Sequence, residues 1–369
     1  MYYIYRVYYK RKMTVDSSTA SHLSIAKTTD EDYRMPITDG DNLMSSPLIN
    51  FELYFRWAVV AIGVVGTAAN GFVLYALVAS KQHKKHLLIV NQNVLDVFSS
   101  FFLAVTYSLK LCDLHLTGAL GYWLCVMLLS ENLIWWGTNG SIINLASITI
   151  DRYLKVVHHV WSKKWLRPPV IYSAMAFAWL AGIVLNTAVS FATSEVVDGA
   201  CYIAVLVENS VDRVVSVIWY VLSFYVVILI IFISCYSRIL ITIRRQARVM
   251  AVHGSAGAGP STSSSQSNRF KYNVIKTMII VSAFYAISWM PIYLYHLYLM
   301  VDPNESFLDG RYYASVFAAF FYICANPFIY ATKLDPVKKI LRDMISCKKI
   351  PNQSTGGPDA NRINMKRIG

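Results

Sequence analysis

Ser147-Ile148-Thr149-Ile150-Asp151-Arg152-Tyr153 follows a long apolar run that begins near Gly121 and leads into Leu154-Lys155-Val156-Val157-His158-His159. An arginine beside an aspartate is costly at the edge of hydrocarbon unless the two are paired. Alone the tripeptide is a weak signal, since arginines that snorkel to the interface are common where membrane helices end. Its weight comes from its place. It closes the third of seven apolar spans, and every other span carries a landmark of its own.

The chain is 56% hydrophobic and 15% charged over 369 residues, with a mean hydropathy of +0.42, which excludes an ordinary soluble domain. A helix needs about 20 predominantly apolar residues to cross a bilayer. Such runs stand near 54–79, 87–111, 121–151, 169–191, 214–240, 272–300 and 311–331. The formal net charge of +13 does not indicate nucleic-acid binding, because the basic residues sit in alternate loops. Lys81, Lys84 and Lys85, then Lys155, Lys163, Lys164 and Arg167, then Arg238 through Lys276, and finally Lys333 through Lys349 share one side. The other side carries little more than Lys110, Arg213 and Arg311. That asymmetry puts the N-terminus outside the cell and the C-terminus inside. Of the six cysteines, Cys112, Cys125 and Cys201 approach the oxidising side, so one bridge and one free thiol are expected there.

Residues 1–50 are polar and read as a disordered extracellular tail. Met1-Tyr2-Tyr3-Ile4-Tyr5-Arg6 does not have the apolar centre of a signal peptide, and Met13 and Met35 are alternative initiators. Asn304-Glu305-Ser306 is the exposed glycosylation sequon, whereas Asn139-Gly140-Ser141 lies inside a span. The seven-helix domain covers 51–333 and is interrupted by a flexible cytoplasmic loop over 246–269, rich in Gly, Ser and Ala. Residues 348–369 read as a disordered cytoplasmic tail.

Inside the spans, Gly66-Thr67-Ala68-Ala69-Asn70-Gly71 offers small residues for close helix approach around one buried polar post. Asp96, about ten residues into the second span, marks either a functional site or a neutral acid that only holds helices together. In the sixth span, Trp289-Met290-Pro291 places an aromatic beside a proline kink, a hinge with a packing switch. The seventh span ends in Asn326-Pro327-Phe328-Ile329-Tyr330, the most specific motif of the chain.

Together these landmarks resemble a rhodopsin-family (class A) G-protein-coupled receptor over roughly residues 52–347. The resemblance implies an all-α membrane protein: a seven-transmembrane helix bundle with a short amphipathic eighth helix over 334–347. Cys347, after it, is either a palmitoylation site or a free thiol. The implied activation set is Asp151, Arg152, Tyr153, Tyr236, Trp289, Pro291, Asn326, Pro327 and Tyr330. Agonist contacts would act on Trp289 and swing the sixth helix at Pro291. Arg152 would then leave Asp151 and, with Tyr236 and Tyr330, receive the tail of a heterotrimeric G protein. Lys271 stands where some members carry an acid that latches the arginine, so any latch here rests on Asp151. Arrestin and a receptor kinase are further implied partners, and the plasma membrane is the implied location.

The resemblance also implies a bridge between Cys201 and the top of the third span. Cys125 matches best, with Cys112 the lesser candidate. Cys125 precedes Arg152 by twenty-seven residues, about two more than the family's usual separation, so a bulge or a shifted helix start is expected. A sodium-and-water site is implied at Asn70, Asp96, Ser141 and Asn326, although Gln92 and Asn93 replace the apolar and small residues usual before the aspartate. Trp179 matches the landmark of the fourth span. Ile228 takes the place of the proline usual in the fifth, which leaves its kink in question. Ile134, eighteen residues before Arg152, stands where amine receptors carry an aspartate, so an aminergic ligand is not expected.

The ligand pocket is expected in the outer halves of spans three, five, six and seven. Its candidate lining is Glu131, Ile134, Trp135, Thr138, Trp219, Ser223, Tyr293, His296, Tyr312 and Phe320, beside Trp289. Each is weighed against core packing or an interfacial aromatic belt. Trp135 and Trp136 in succession cannot share one face.

An opsin needs a lysine six residues before Asn326, where this chain has Phe320. Retinal is therefore not expected. A transporter or channel that uses Asp96 on a cation path is the alternative from another class, but the sequence shows no internal repeat. No metal-ligand cluster or nucleophile elbow points to an enzyme.

Overall fold

The structure, a computed structural model, describes residues 47–81, 83, 86–112, 114–203, 210–254, 262–301, 310–333, 338, 340, 342 and 343. The tail over 1–46, the sequon at Asn304, residues 255–261 of the expected loop, Cys347 and the tail over 348–369 lie outside the described residues, as does the side chain of Lys271.

Without water to bond to, a backbone in hydrocarbon must satisfy its own N–H and C=O groups, and these apolar runs do so as helices. Seven described helices are long and apolar enough to cross a membrane: Phe51–Ala79, Leu87–Leu109, Gly118–Val157, Pro168–Thr193, Val214–Val249, Ile275–Leu299 and Gly310–Tyr330. Their surface is inverted relative to a soluble protein. Phe177, Val184 and Ile287 are more than 60% exposed, while Asn70, Gln92, Asn93, Asp96 and Asn144 are fully buried. Only an apolar solvent makes that distribution favourable.

The first span packs on the second and seventh, the third on the second, fourth and fifth, and the sixth on the seventh. Close approach depends on missing side chains. A Cβ on Gly63 would lie 2.7 Å from the Ala104 backbone nitrogen, and one on Gly182 would overlap the Trp136 carbonyl oxygen.

The third span is broken where the spacing of Cys125 and Arg152 demands it. Gly118–Leu124 is α-helical, Cys125–Leu129 is a π-helical turn, and Glu131 adopts a left-handed conformation (φ 63°) before the helix Asn132–Val157. Each wide turn or break takes up extra residues without moving the ends of the helix. The fifth span contains a second π-helical turn, Leu222–Val226, which ends two residues before Ile228. The irregularity expected from a proline is thus present without one.

The helices of spans five and six run to Gly254 and from Thr262. The boundaries 246–269 of the expected loop are therefore too wide. Of residues 334–347 the structure describes Lys338, Ile340, Arg342 and Asp343, all helical, with Ile340 buried and Lys338 and Arg342 exposed.

Between spans four and five, β1 (Ser194–Val197) and β2 (Ala200–Ile203) form an antiparallel hairpin. Asp198 and Gly199 at its turn have φ of 50° and 77°, the pair of positive angles that matches the strands' twist and favours Asp-Gly.

Candidate functional site

The bundle carries four layers of polar and aromatic side chains, the first at the Asp151–Arg152 end of the third span. At that end, the Asp151 carboxylate is only 4% exposed and has two cationic neighbours. Lys155 Nζ is 2.7 Å from Oδ1, whereas Arg152 Nε is 3.7 Å from Oδ2. Asp151 therefore serves two cations, because a lysine one turn on reaches the same carboxylate more closely than Arg152 does. Tyr153 pairs its hydroxyl with His158 Nε2 at 3.0 Å. Tyr236, from the fifth span, lies 3.0 Å from Thr149 Oγ1 and accepts from Ser282 at 3.3 Å, tying spans three, five and six together. Tyr330 is fully buried, and its hydroxyl has no hydrogen-bond partner among the described residues.

Above it lies a polar junction around Asp96. Its carboxylate accepts hydrogen bonds from Ser141 Oγ (2.7 Å), Asn326 Nδ2 (3.0 Å) and Gln92 Nε2 (3.3 Å). Gln92 Nε2 also donates to Ser141 Oγ. Asn70 was expected in this set, but its amide bonds to the backbone oxygens of Gly66 and Ile323 instead. A hard cation on Asp96 would need oxygens turned towards it; between the carboxylate and Ser141 this chain presents an N–H group. These residues do not fit a sodium ion bridging those two oxygens.

The third layer is a closed aromatic core. Trp289 is 1% exposed, with its ring centroid about 6 Å from those of Trp135, Tyr285 and Tyr293. Phe320, six residues before Asn326, is fully buried between Tyr107 and Trp135. Ile134 and Thr138 are buried in the same span, and His296 is 9% exposed with Nδ1 against the Ile292 carbonyl. Trp136 points the other way and donates to Thr187 at 2.9 Å. Pro291 and Pro327 lie within continuous helices.

The outermost layer is open. A cleft of roughly 710 Å³ is lined by Glu52, Phe55, Arg56, Tyr107, Lys110, Glu131, Tyr202, Tyr312 and Tyr313, with the Asp198–Ile203 edge of the hairpin above them. The left-handed Glu131 turns its carboxylate to Lys110 Nζ (2.5 Å) and the Tyr107 hydroxyl (2.9 Å). Arg56 pairs with Glu52 at 2.5 Å and donates to the Lys110 carbonyl. The hairpin is fixed at two points. Cys201 is bridged to Cys125, with Cα atoms 5.3 Å apart, and Gly199 O accepts from Leu116 N at 2.8 Å.

Of the expected pocket residues, only Glu131 and Tyr312 line this cleft. Ile134, Trp135, Thr138, Tyr293, His296 and Phe320 belong to the packed core, and Ser223 is half-buried in the π-helical turn. Trp219 is 71% exposed on the outside of the bundle, which corrects its assignment to the pocket. A π-helical turn adds a residue and rotates what precedes it by about 100° relative to a continuous α-helix. Glu52, Arg56 and Lys110 line the cleft but do not stand among the expected residues; an acid four residues before a base in Glu52-x-x-x-Arg56 was the available signal. The hairpin was likewise not expected, although Asp198-Gly199 between short apolar stretches announces it.

Breaking the bridge should cost about 2–4 kcal/mol. Cys125→Ser and Cys201→Ser are expected to lower surface expression and thermal stability equally, and the double variant no further than either, because one constraint is lost in all three. Cell-surface staining with a thermal shift of the purified chain checks this.

Residues 69–330 match the sequence profile described as 7 transmembrane receptor (rhodopsin family). Among curated proteins the chain is similar to somatostatin receptor type 5 of Bos taurus, at 26% identity over 80% of this chain and 77% of the relative. Somatostatin receptor type 2 of Mus musculus is 24% identical over 86% and 84% of the two chains. Somatostatin receptor type 3 of Homo sapiens is 26% identical over 73% and 63%.

Proposed function

From the premise that the chain belongs to the rhodopsin family of seven-transmembrane receptors, we propose that its ligand, a peptide or small molecule, binds in the outer cleft between Arg56, Lys110, Glu131, Tyr202 and Tyr312. The chain is a G-protein-coupled receptor of the plasma membrane, and its relatives are receptors rather than enzymes. In our reading it acts without catalysis and without retinal, its N-terminus faces outward, and arrestin and a receptor kinase act on its cytoplasmic end.

The observation that carries the assignment is the cleft itself: among the described residues it is an open volume roofed by the bridged hairpin, with the packed rings that lead to Trp289 beneath it. Arg56 is already paired with Glu52 and Lys110 with Glu131, so a ligand that engages them must replace those partners as it enters. Agonist then acts by binding one arrangement of the bundle more tightly than the other. The family match favours this reading over a transporter or channel.

The test is agonist-dependent nucleotide exchange on G protein by the full chain in lipid, with somatostatin, named by the relatives, as the first ligand tried, followed by a peptide and metabolite library. For whichever agonist is found, Glu131→Gln should weaken potency about tenfold with the maximal response kept, since one charge-assisted contact is lost. A potency unchanged by Glu131→Gln, Lys110→Met and Tyr202→Ala would place the ligand elsewhere.

A further inference from the structure

The junction around Asp96 is one end of a chain of side-chain amides with a fixed direction. Trp179 Nε1 donates to Asn91 Oδ1 (3.0 Å), Asn91 Nδ2 to Asn144 Oδ1 (3.0 Å), and Asn144 Nδ2 to Gln92 Oε1 (2.8 Å). An indole N–H can only donate, so it fixes which end of Asn91 faces it and, in turn, the orientation of Asn144 and Gln92. The last amide therefore presents nitrogen, not oxygen, to Asp96 and Ser141.

We infer that the Gln92 amide is a tethered substitute for the sodium ion, holding Asp96 and Ser141 together where a cation would otherwise bridge them. A cation there would displace the amide nitrogen. Turning the amide over would set its oxygen against the carboxylate and break the bond from Asn144. Asn70 Oδ1 and Asn326 Oδ1, which have no donor among the described residues, are places for ordered water. A tethered donor cannot be diluted away, so stability set at this junction does not follow the sodium concentration.

The readout does not pass through a G protein, so a failure of the receptor reading would leave it interpretable. The full-length purified chain is melted in sodium chloride and in N-methyl-D-glucamine chloride at equal ionic strength, which separates ion binding from screening. The wild type should melt at the same temperature in both salts. Gln92→Leu should gain a saturable, sodium-selective rise of roughly 2–4 °C, absent from the Gln92→Leu/Asp96→Asn double variant. Should Gln92→Leu not fold, Gln92→Ala takes its place, and the wild-type comparison decides by itself if neither folds. A sodium-selective rise in the wild type that Asp96→Asn removes overturns the inference. So does a folded Gln92 variant that gains none.

Discussion

Arg152→Ala is expected to lower G-protein nucleotide exchange by roughly 10–100-fold, the loss of about 1.5–3 kcal/mol of charge-assisted hydrogen bonding to the partner. The fold should survive. Arg152 Nε has no hydrogen bond among the described residues, its contact with Asp151 is long at 3.7 Å, and Asp151 keeps Lys155 at 2.7 Å when the guanidinium is removed. No buried charge is left alone, and ligand binding in the outer cleft should be unchanged. A guanidinium stays charged, so it moves only to another environment that satisfies its fork of donors. The weak pairing also limits the reverse experiment. Asp151→Asn should raise basal exchange by at most about fivefold, within the range of a part-exposed ion pair, and Lys155→Met should act in the opposite direction, because it leaves the carboxylate to Arg152 alone. Both are measured as basal and stimulated exchange at matched surface expression. Normal signalling by Arg152→Ala through every G protein tried would refute the coupling mechanism.

Gly182→Leu is expected to remove most folded receptor from the cell surface. A Cβ at this position would overlap the Trp136 carbonyl oxygen and come within 3.3 Å of Gly140 N, both backbone atoms of the third span. Backbone cannot rotate away as a side chain does, so the two helices must separate along their contact. The same crossing brings Asn186 Nδ2 within 3.4 Å of the Trp135 carbonyl and joins Asn139 to Asn186 at 3.1 Å. Separation would therefore expose buried polar groups to hydrocarbon, adding to the lost packing. Gly71→Ala is the matched control, because nothing lies within 4 Å of its added Cβ. Surface staining and the melting temperature of the two variants decide it, and equal expression of both would contradict the packing argument.

The seven spans could be read from sequence because length and apolarity alone determine which segments suit a bilayer. The pairing of Cys125 with Cys201 followed from the resemblance. The extra residues before Arg152 foretold an irregular turn, though not its form. The pocket was less accessible. Trp135, Tyr293 and Phe320 do face the interior, but whether interior space is filled or open depends on how facing helices meet, which periodicity along one helix does not encode. Gln92 stood out as unusual; its role needed Asn144 from the third span and Trp179 from the fourth brought against it and its neighbour Asn91. Lys155, by contrast, lies four residues after Asp151 and was there to be read.

The hairpin tied down by Cys201 and Gly199 bears on kinetics. A loop that must order itself around an arriving molecule slows association and costs affinity, whereas a rim already held at both a bridge and a backbone hydrogen bond does neither. Arrival should then be governed by diffusion and the charge at the mouth. Differences among related agonists would be expressed chiefly as residence time, set by how well each replaces Lys110 and Glu131 for one another.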